Sequence, residues 1–259
     1  MVKGILGALA LTAMATAATA ETPAAKPTIV LVHGAFADSS SWNGVVRILE
    51  RDGYTVVAAA NPLRSVSGDA RSVAGVVASI SAPVVLVGHS YGGSVISGAA
   101  EGRSNVKALV YVAAFAPDVG ESASGLSGKF PGSTLKPALA PPVPLSGGGN
   151  DLYIQQTRFH DQFAADVPES EAKLMAAGQR PVTDRALGEA ATQAAWKHLP
   201  TWFVYGDQDK NIPPQALAFM AERARSHRTV VVKGGSHVVM VSHPDAVAAL
   251  IEEAAGAKR

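Results

Sequence analysis

Four β-prone residues, Val84-Val85-Leu86-Val87, run directly into Gly88-His89-Ser90-Tyr91-Gly92-Gly93, and a stretch rich in small residues continues to Gly102. An apolar run without polar alternation suits a strand covered on both faces. Glycines on either side of a serine allow a tight, strained strand-to-helix turn that lifts the hydroxyl out of the sheet. The helix that follows offers backbone donors and a favourable dipole to developing negative charge. Ser90 is therefore the candidate nucleophile.

The rest of the chain has the rhythm that such a turn requires. Strands are expected over residues 28–33, 54–60, 83–88 and 106–114, then at 202–205 and 229–232. Helical spacing falls between them at 41–51, 69–80 and 90–102, and later at 214–225 and 244–255. Alternation of this kind builds a mostly parallel, doubly wound α/β sheet with helices on both faces. The pattern breaks between Pro117 and Pro200. The first part, to Asn150, is dense in Gly, Pro and Ser and reads as an extended excursion. Helices are expected over 151–165, 169–177 and 184–195. An insertion this long is expected to serve as a helical cap over the open end of the sheet. The core is thus 28–116 with 200–259, and the cap 117–199.

Residues 1–20 stand apart. Lys3 precedes a short apolar, small-residue stretch that closes on Ala18-Thr19-Ala20, the order of a secretory signal peptide. Residues 21–27 follow as a flexible leader. The protein is therefore expected to be exported, periplasmic or secreted, with no stable membrane span in the mature form. The formal charge is +1, and Lys and Arg do not cluster with aromatics, so no nucleic-acid partner is implied. The chain has no cysteine, which excludes a thiol nucleophile and thiolate metal sites. No metal-ligand spacing or phosphate-cradling loop is present, and no cofactor is expected. A homodimer is compatible with the sequence, in which cap surface and interface surface look alike.

A serine nucleophile needs a base, and the base needs an orienting acid. His237 follows the 229–232 strand, and two carboxylates, Asp207 and Asp209, follow the 202–205 strand. Either carboxylate could reach the histidine. The order serine, acid, histidine, with the last two at strand ends, fits acyl transfer through a nucleophile elbow. The oxyanion donors are expected to be the backbone N–H groups of Tyr91 and of Ala35, with Phe36 as the alternative to Ala35. His33 and His89 are expected beside the pocket, orienting its loops. Phe36, Phe115, Phe159 and Phe163, with Tyr91, Leu152 and Met175, are expected to line a mostly apolar cavity. Asp118 and Glu121 read as solvated loop charges.

The chain resembles the α/β-hydrolase superfamily. The resemblance rests on His33-Gly34-Ala35-Phe36, Trp42, Gly88 to Gly93, Gly206 with Asp209 and Pro213, and Gly235-Ser236-His237, and it spans residues 27–255. Within that superfamily it is most similar to the small plant-type esterases and hydroxynitrile lyases and their bacterial relatives. The family places its acid three residues after the strand-end glycine, which implies Asp209 rather than Asp207. Its lyases carry threonine at the position of Gly34 and lysine at that of Val238, so the resemblance implies a serine esterase with a small-molecule ester as substrate. Lyase, cofactor-free perhydrolase and noncatalytic ligand-binding roles are the alternatives within the same family. A carboxylate nucleophile, as in haloalkane dehalogenases, is excluded by Ser90.

Overall fold

The computed structural model describes Met1 and residues 26–257, so the expected signal peptide, Met1 apart, and most of the leader lie outside the described residues. Six strands form the central sheet: β1 (Thr28–Val32), β2 (Val56–Ala59), β3 (Val84–His89), β4 (Val106–Val112), β8 (Thr201–Gly206) and β9 (Arg228–Val232). Their order is β2-β1-β3-β4-β8-β9, and every pairing is parallel. Between β4 and β8 a separate antiparallel sheet joins β5 (Val143–Pro144), β6 (Asn150–Leu152) and β7 (Val182–Thr183).

The helices flanking the central sheet are α1 (Asn43–Arg51), α2 (Val66–Ala78) and α3 (Gly92–Ala99) on the N-terminal side of the chain. The insertion contributes α4 (Ala123–Lys129), α5 (Leu135–Ala138), α6 (Gln156–Phe163), α7 (Glu169–Gly178) and α8 (Asp184–Gly188). The chain ends with α9 (Pro214–Arg223), α10 (Val239–Ser242) and α11 (Pro244–Gly256). Helix α1 packs with α11 and α2 packs with α3. The β3 run Val84 to Val87 is fully buried between these layers. Each such side chain contributes roughly 1.5–3 kcal/mol of transfer free energy, which fixes β3 as a central strand.

Local chemistry sets the helix starts. Ser65 accepts the Gly68 N–H at 3.1 Å, so α2 begins before the expected Asp69. Glu189, from the insertion, reinforces this end by accepting the N–H groups of Val66 and Ser67 at 2.6 and 3.1 Å.

The insertion departs most from expectation. Asp151 does not open a helix: it lies in β6, opposite Thr183, and its carboxylate is held by Arg64 at 2.6 Å. The helix that follows starts only at Gln156. The expected helix over 184–195 stops at Gly188, and a 3-10 turn, Ala195–Lys197, follows later. The Gly- and Pro-rich stretch before Asn150 is not a bare excursion but contains α4, α5 and β5. Asp118 and Glu121 are partly exposed, as expected of loop charges, but each is also paired, Asp118 with Lys197 at 2.6 Å and Glu121 with Arg223 at 2.5 Å.

Candidate active site

Ser90 lies just past the end of β3, with φ at +53°. That left-handed conformation costs a non-glycine residue about 1–3 kcal/mol and persists where neighbouring packing enforces it. Ser90 is only 6% exposed. Phe36, in the loop after β1, is likewise left-handed at φ +61°. The two loops touch: a Cβ built on Gly34 would lie 2.6 Å from the Ser90 Cβ and 2.7 Å from the His89 carbonyl oxygen. The Gly34 position thus has no room for a side chain on this backbone.

His237 stands in the loop after β9 and Asp209 in the loop after β8. These loops can meet because β8 ends in Gly206, where any Cβ would run into the Gly235 carbonyl. His237 Nδ1 donates to Asp209 Oδ2 at 2.7 Å, and Ser90 Oγ donates to His237 Nε2 at 2.9 Å. The second Asp209 oxygen accepts the backbone N–H groups of Asn211 and Ile212 at 2.8 and 2.9 Å. This leaves the carboxylate one free direction, toward the imidazole. Asp207 is turned elsewhere and accepts the Gly234 N–H at 2.7 Å.

Two further histidines stiffen the site from behind. His89 Nε2 donates to the His237 carbonyl at 3.1 Å, which fixes its tautomer and leaves Nδ1 buried without a partner. Burial holds its pKa well below the ordinary 6.5, and the neighbouring His237 adds to this. His33 Nε2 accepts the Asn61 N–H at 3.1 Å, so its proton sits on Nδ1 and goes to the Gly34 carbonyl at 3.0 Å. Burial lowers its pKa as well, against that hydrogen bond. Both rings are therefore neutral props.

A cavity of about 430 Å³ opens over Ser90, lined by Ala35, Phe36, Tyr91, Phe115, Ile212 and residues of the insertion. Those insertion residues include Phe130, Leu135, Leu139 and Leu187, which sequence reasoning missed. Their one available signal was apolar residues within a Gly- and Pro-rich stretch that lacks periodicity. Four expected pocket residues are placed differently. Phe159 and Phe163 are fully buried behind the site, where Phe163 packs its ring against His237 and Phe36. His33 and His89 stand behind the loops they were expected to orient, bonded to their backbones, and do not reach the cavity wall. The physical reason is that the inward face of α6 fills the space behind the catalytic histidine. Met175 lines a separate, more polar cleft of about 450 Å³ that shares only Phe36 with the first. Leu152 lies in β6, away from both.

Ala35 and Tyr91 line the cavity, and among the described residues no hydrogen bond engages the backbone N–H of either one. The Phe36 N–H is taken by the Arg180 carbonyl at 3.0 Å. Among the described residues no cluster of His, Cys, Asp or Glu could hold a metal ion, and no helix is long and apolar enough to cross a membrane.

A serine elbow at the end of a central parallel strand, with acid and histidine on the next strand-end loops, defines an α/β serine hydrolase. Residues 29–250 match the model of the Alpha/beta hydrolase family, and the chain belongs to that family. It is 29% identical to the alpha/beta hydrolase nvfD of Aspergillus novofumigatus, over 89% of this chain and 97% of that protein. A pimeloyl-[acyl-carrier protein] methyl ester esterase of Neisseria meningitidis is 28% identical over 69% of this chain and 71% of its own length. Among solved structures, polyneuridine aldehyde esterase superposes with a TM-score of 0.77 at 20% identity, covering 88% of this chain and 99% of that one.

Proposed function

We propose that the protein is a serine carboxylesterase that cleaves small to medium, partly apolar esters through an acyl-Ser90 intermediate. The observation that carries this reading is the unbroken Ser90–His237–Asp209 hydrogen-bond chain at the floor of an apolar cavity. Ser90 Oγ attacks the ester carbonyl carbon while His237 Nε2 takes the hydroxyl proton. The carbonyl oxygen becomes an oxyanion between the Ala35 and Tyr91 N–H groups, each worth roughly 3 kcal/mol of transition-state stabilisation. Collapse breaks the bond to the alcohol, which leaves with the proton from His237. Water then repeats the attack, again deprotonated by His237, and releases the acid and free Ser90. Asp209 keeps the imidazole in the right tautomer and offsets its transient charge.

The likeness to a methyl ester esterase supports an ester substrate. A lyase would need groups that this site lacks: Gly34 has no hydroxyl and no space for one, and Val238 is a fully buried apolar residue. A panel of p-nitrophenyl and methyl esters, with a fluorophosphonate probe, tests the reading. The parent should turn over short and medium acyl esters and label stoichiometrically, and Ser90→Ala should lose both while remaining folded. Cyanide release from mandelonitrile without ester turnover would overturn it.

Three further parts of the reading rest on sequence. Residues 1–20 act as an export signal, which the N-terminal sequence of protein recovered from the periplasm or medium would test. Residues 117–199 act as the cap that sets substrate choice. A homodimer is compatible with the sequence, and light scattering reads out the assembly.

A further inference from the structure

Tyr91 is tied by its side chain to a carboxylate outside the triad. The Tyr91 ring is fully buried, and its phenol donates to Asp69 Oδ2 at 2.9 Å. Burial, reinforced by the adjacent carboxylate, pushes the phenol pKa far up, so the phenol remains the donor. Asp69 is 1% exposed in the first turn of α2, and its two oxygens share the Arg64 N–H at 3.2 and 3.1 Å. The Arg64 guanidinium then crosses to the insertion, donating to Asp151 Oδ1 at 2.6 Å and to the Pro181 carbonyl at 2.7 Å. One residue earlier, the Arg180 carbonyl accepts the Phe36 N–H. Residues 180–181 therefore hold both loops that border Ser90: one directly, the other through Arg64 and Asp69.

We propose that Asp69 is a positioning residue for the oxyanion hole, its bond to the Tyr91 phenol aiming the Tyr91 N–H at the developing oxyanion. The inference rests on the serine-esterase reading of the site. The turn's backbone is held by the Ser90 N–H to the Val112 carbonyl at 3.2 Å and the Phe115 N–H to the Ser90 carbonyl at 3.1 Å, and the Tyr91 phenol adds a side-chain tie from the donor-bearing residue itself to α2. Ser90 is in a left-handed conformation, and Gly92 and Gly93 have no side chains, so Tyr91 carries the only long side chain between His89 and Ser94. A donor that drifts loses its worth mainly in the transition state, where the charge on oxygen is greatest, and leaves ground-state binding largely intact.

The test compares the parent with Tyr91→Phe, Asp69→Ala and Asp69→Asn on a short-chain p-nitrophenyl ester. An alkyl boronic acid serves as tetrahedral analogue and the matching amide as ground-state analogue. Tyr91→Phe and Asp69→Ala should lower kcat/KM roughly tenfold and weaken the boronic acid by the same factor, with amide inhibition unchanged. Asp69→Asn, whose amide oxygen can still accept the phenol, should recover most of both losses. If Tyr91→Phe does not fold, Asp69→Ala is read against Asp69→Asn in the same way. Lower melting temperature with parent-like kcat/KM and boronic acid affinity would reveal a packing bond alone and overturn the inference. Equal weakening of amide and boronic acid would overturn it as well. An inert parent would overturn the esterase reading and this inference together, whereas an active parent matched by its variants overturns only the inference.

Discussion

Asp207 and Asp209 are two positions apart in one loop, yet their hydrogen bonds give them different tasks. Asp209 is 4% exposed, and two backbone N–H groups and the imidazole share its oxygens. Asp207 staples the Gly234 turn from the outside. Asp209→Asn should therefore lower kcat by roughly 10³–10⁴-fold, because the amide favours the wrong imidazole tautomer. Asp207→Asn should leave kcat near the parent value and cost about 1 kcal/mol of stability at most. Steady-state kinetics and urea unfolding of the two variants side by side check both. The candidate nucleophile and base were legible as residues because a strained elbow and a strand-end histidine leave local sequence marks. The acid was not legible from spacing alone: either carboxylate could reach, and only the family resemblance favoured Asp209. The backbone hydrogen bonds that decide the matter have no side-chain signature.

At the scale of elements, the sheet could be read and the insertion could not. Core strands are continuous apolar runs, and their burial on both faces writes itself into the sequence. The elements of the insertion are short, and their conformations depend on partners far along the chain. Arg64 recruits Asp151 from 87 positions away, which helps make β6 a strand where local composition favoured a helix start. Arg223 of α9 does the same for the segment before α4, holding both Glu121 oxygens at 2.9 and 2.5 Å and the Ala116 carbonyl at 2.6 Å. Because α4 borders the cavity, Arg223→Met should cost about 1–2 kcal/mol, raise KM more than it lowers kcat, and speed proteolysis near residues 117–135. Urea unfolding, limited proteolysis and ester kinetics provide the readouts.

For the molecule as a whole, the buried histidines predict how stability responds to pH. His33 and His89 are both neutral in the fold, with native pKa values below the ordinary 6.5. As pH falls through 6.5 the unfolded chain takes up protons that the native chain refuses, so stability drops and unfolding binds as many as two extra protons. Asp69 acts with the opposite sign at lower pH, since burial raises its native pKa above 3.8. Urea midpoints measured from about pH 7.5 to pH 5 should fall steadily, and His89→Gln should flatten the slope.

The sequence by itself determined the sheet, the elbow that presents Ser90, and the His237 that serves it, because these follow from apolar runs, glycines and strand ends that are local in the chain. Tertiary structure alone decided the cavity wall and the place of Phe159 and Phe163 behind His237 rather than over Ser90. It also decided that the Phe36 N–H goes to the Arg180 carbonyl, whereas the Ala35 N–H has no hydrogen-bond partner among the described residues. Those outcomes depend on which distant partner satisfies each buried polar group and fills each gap, and that competition is settled only when the whole chain has packed.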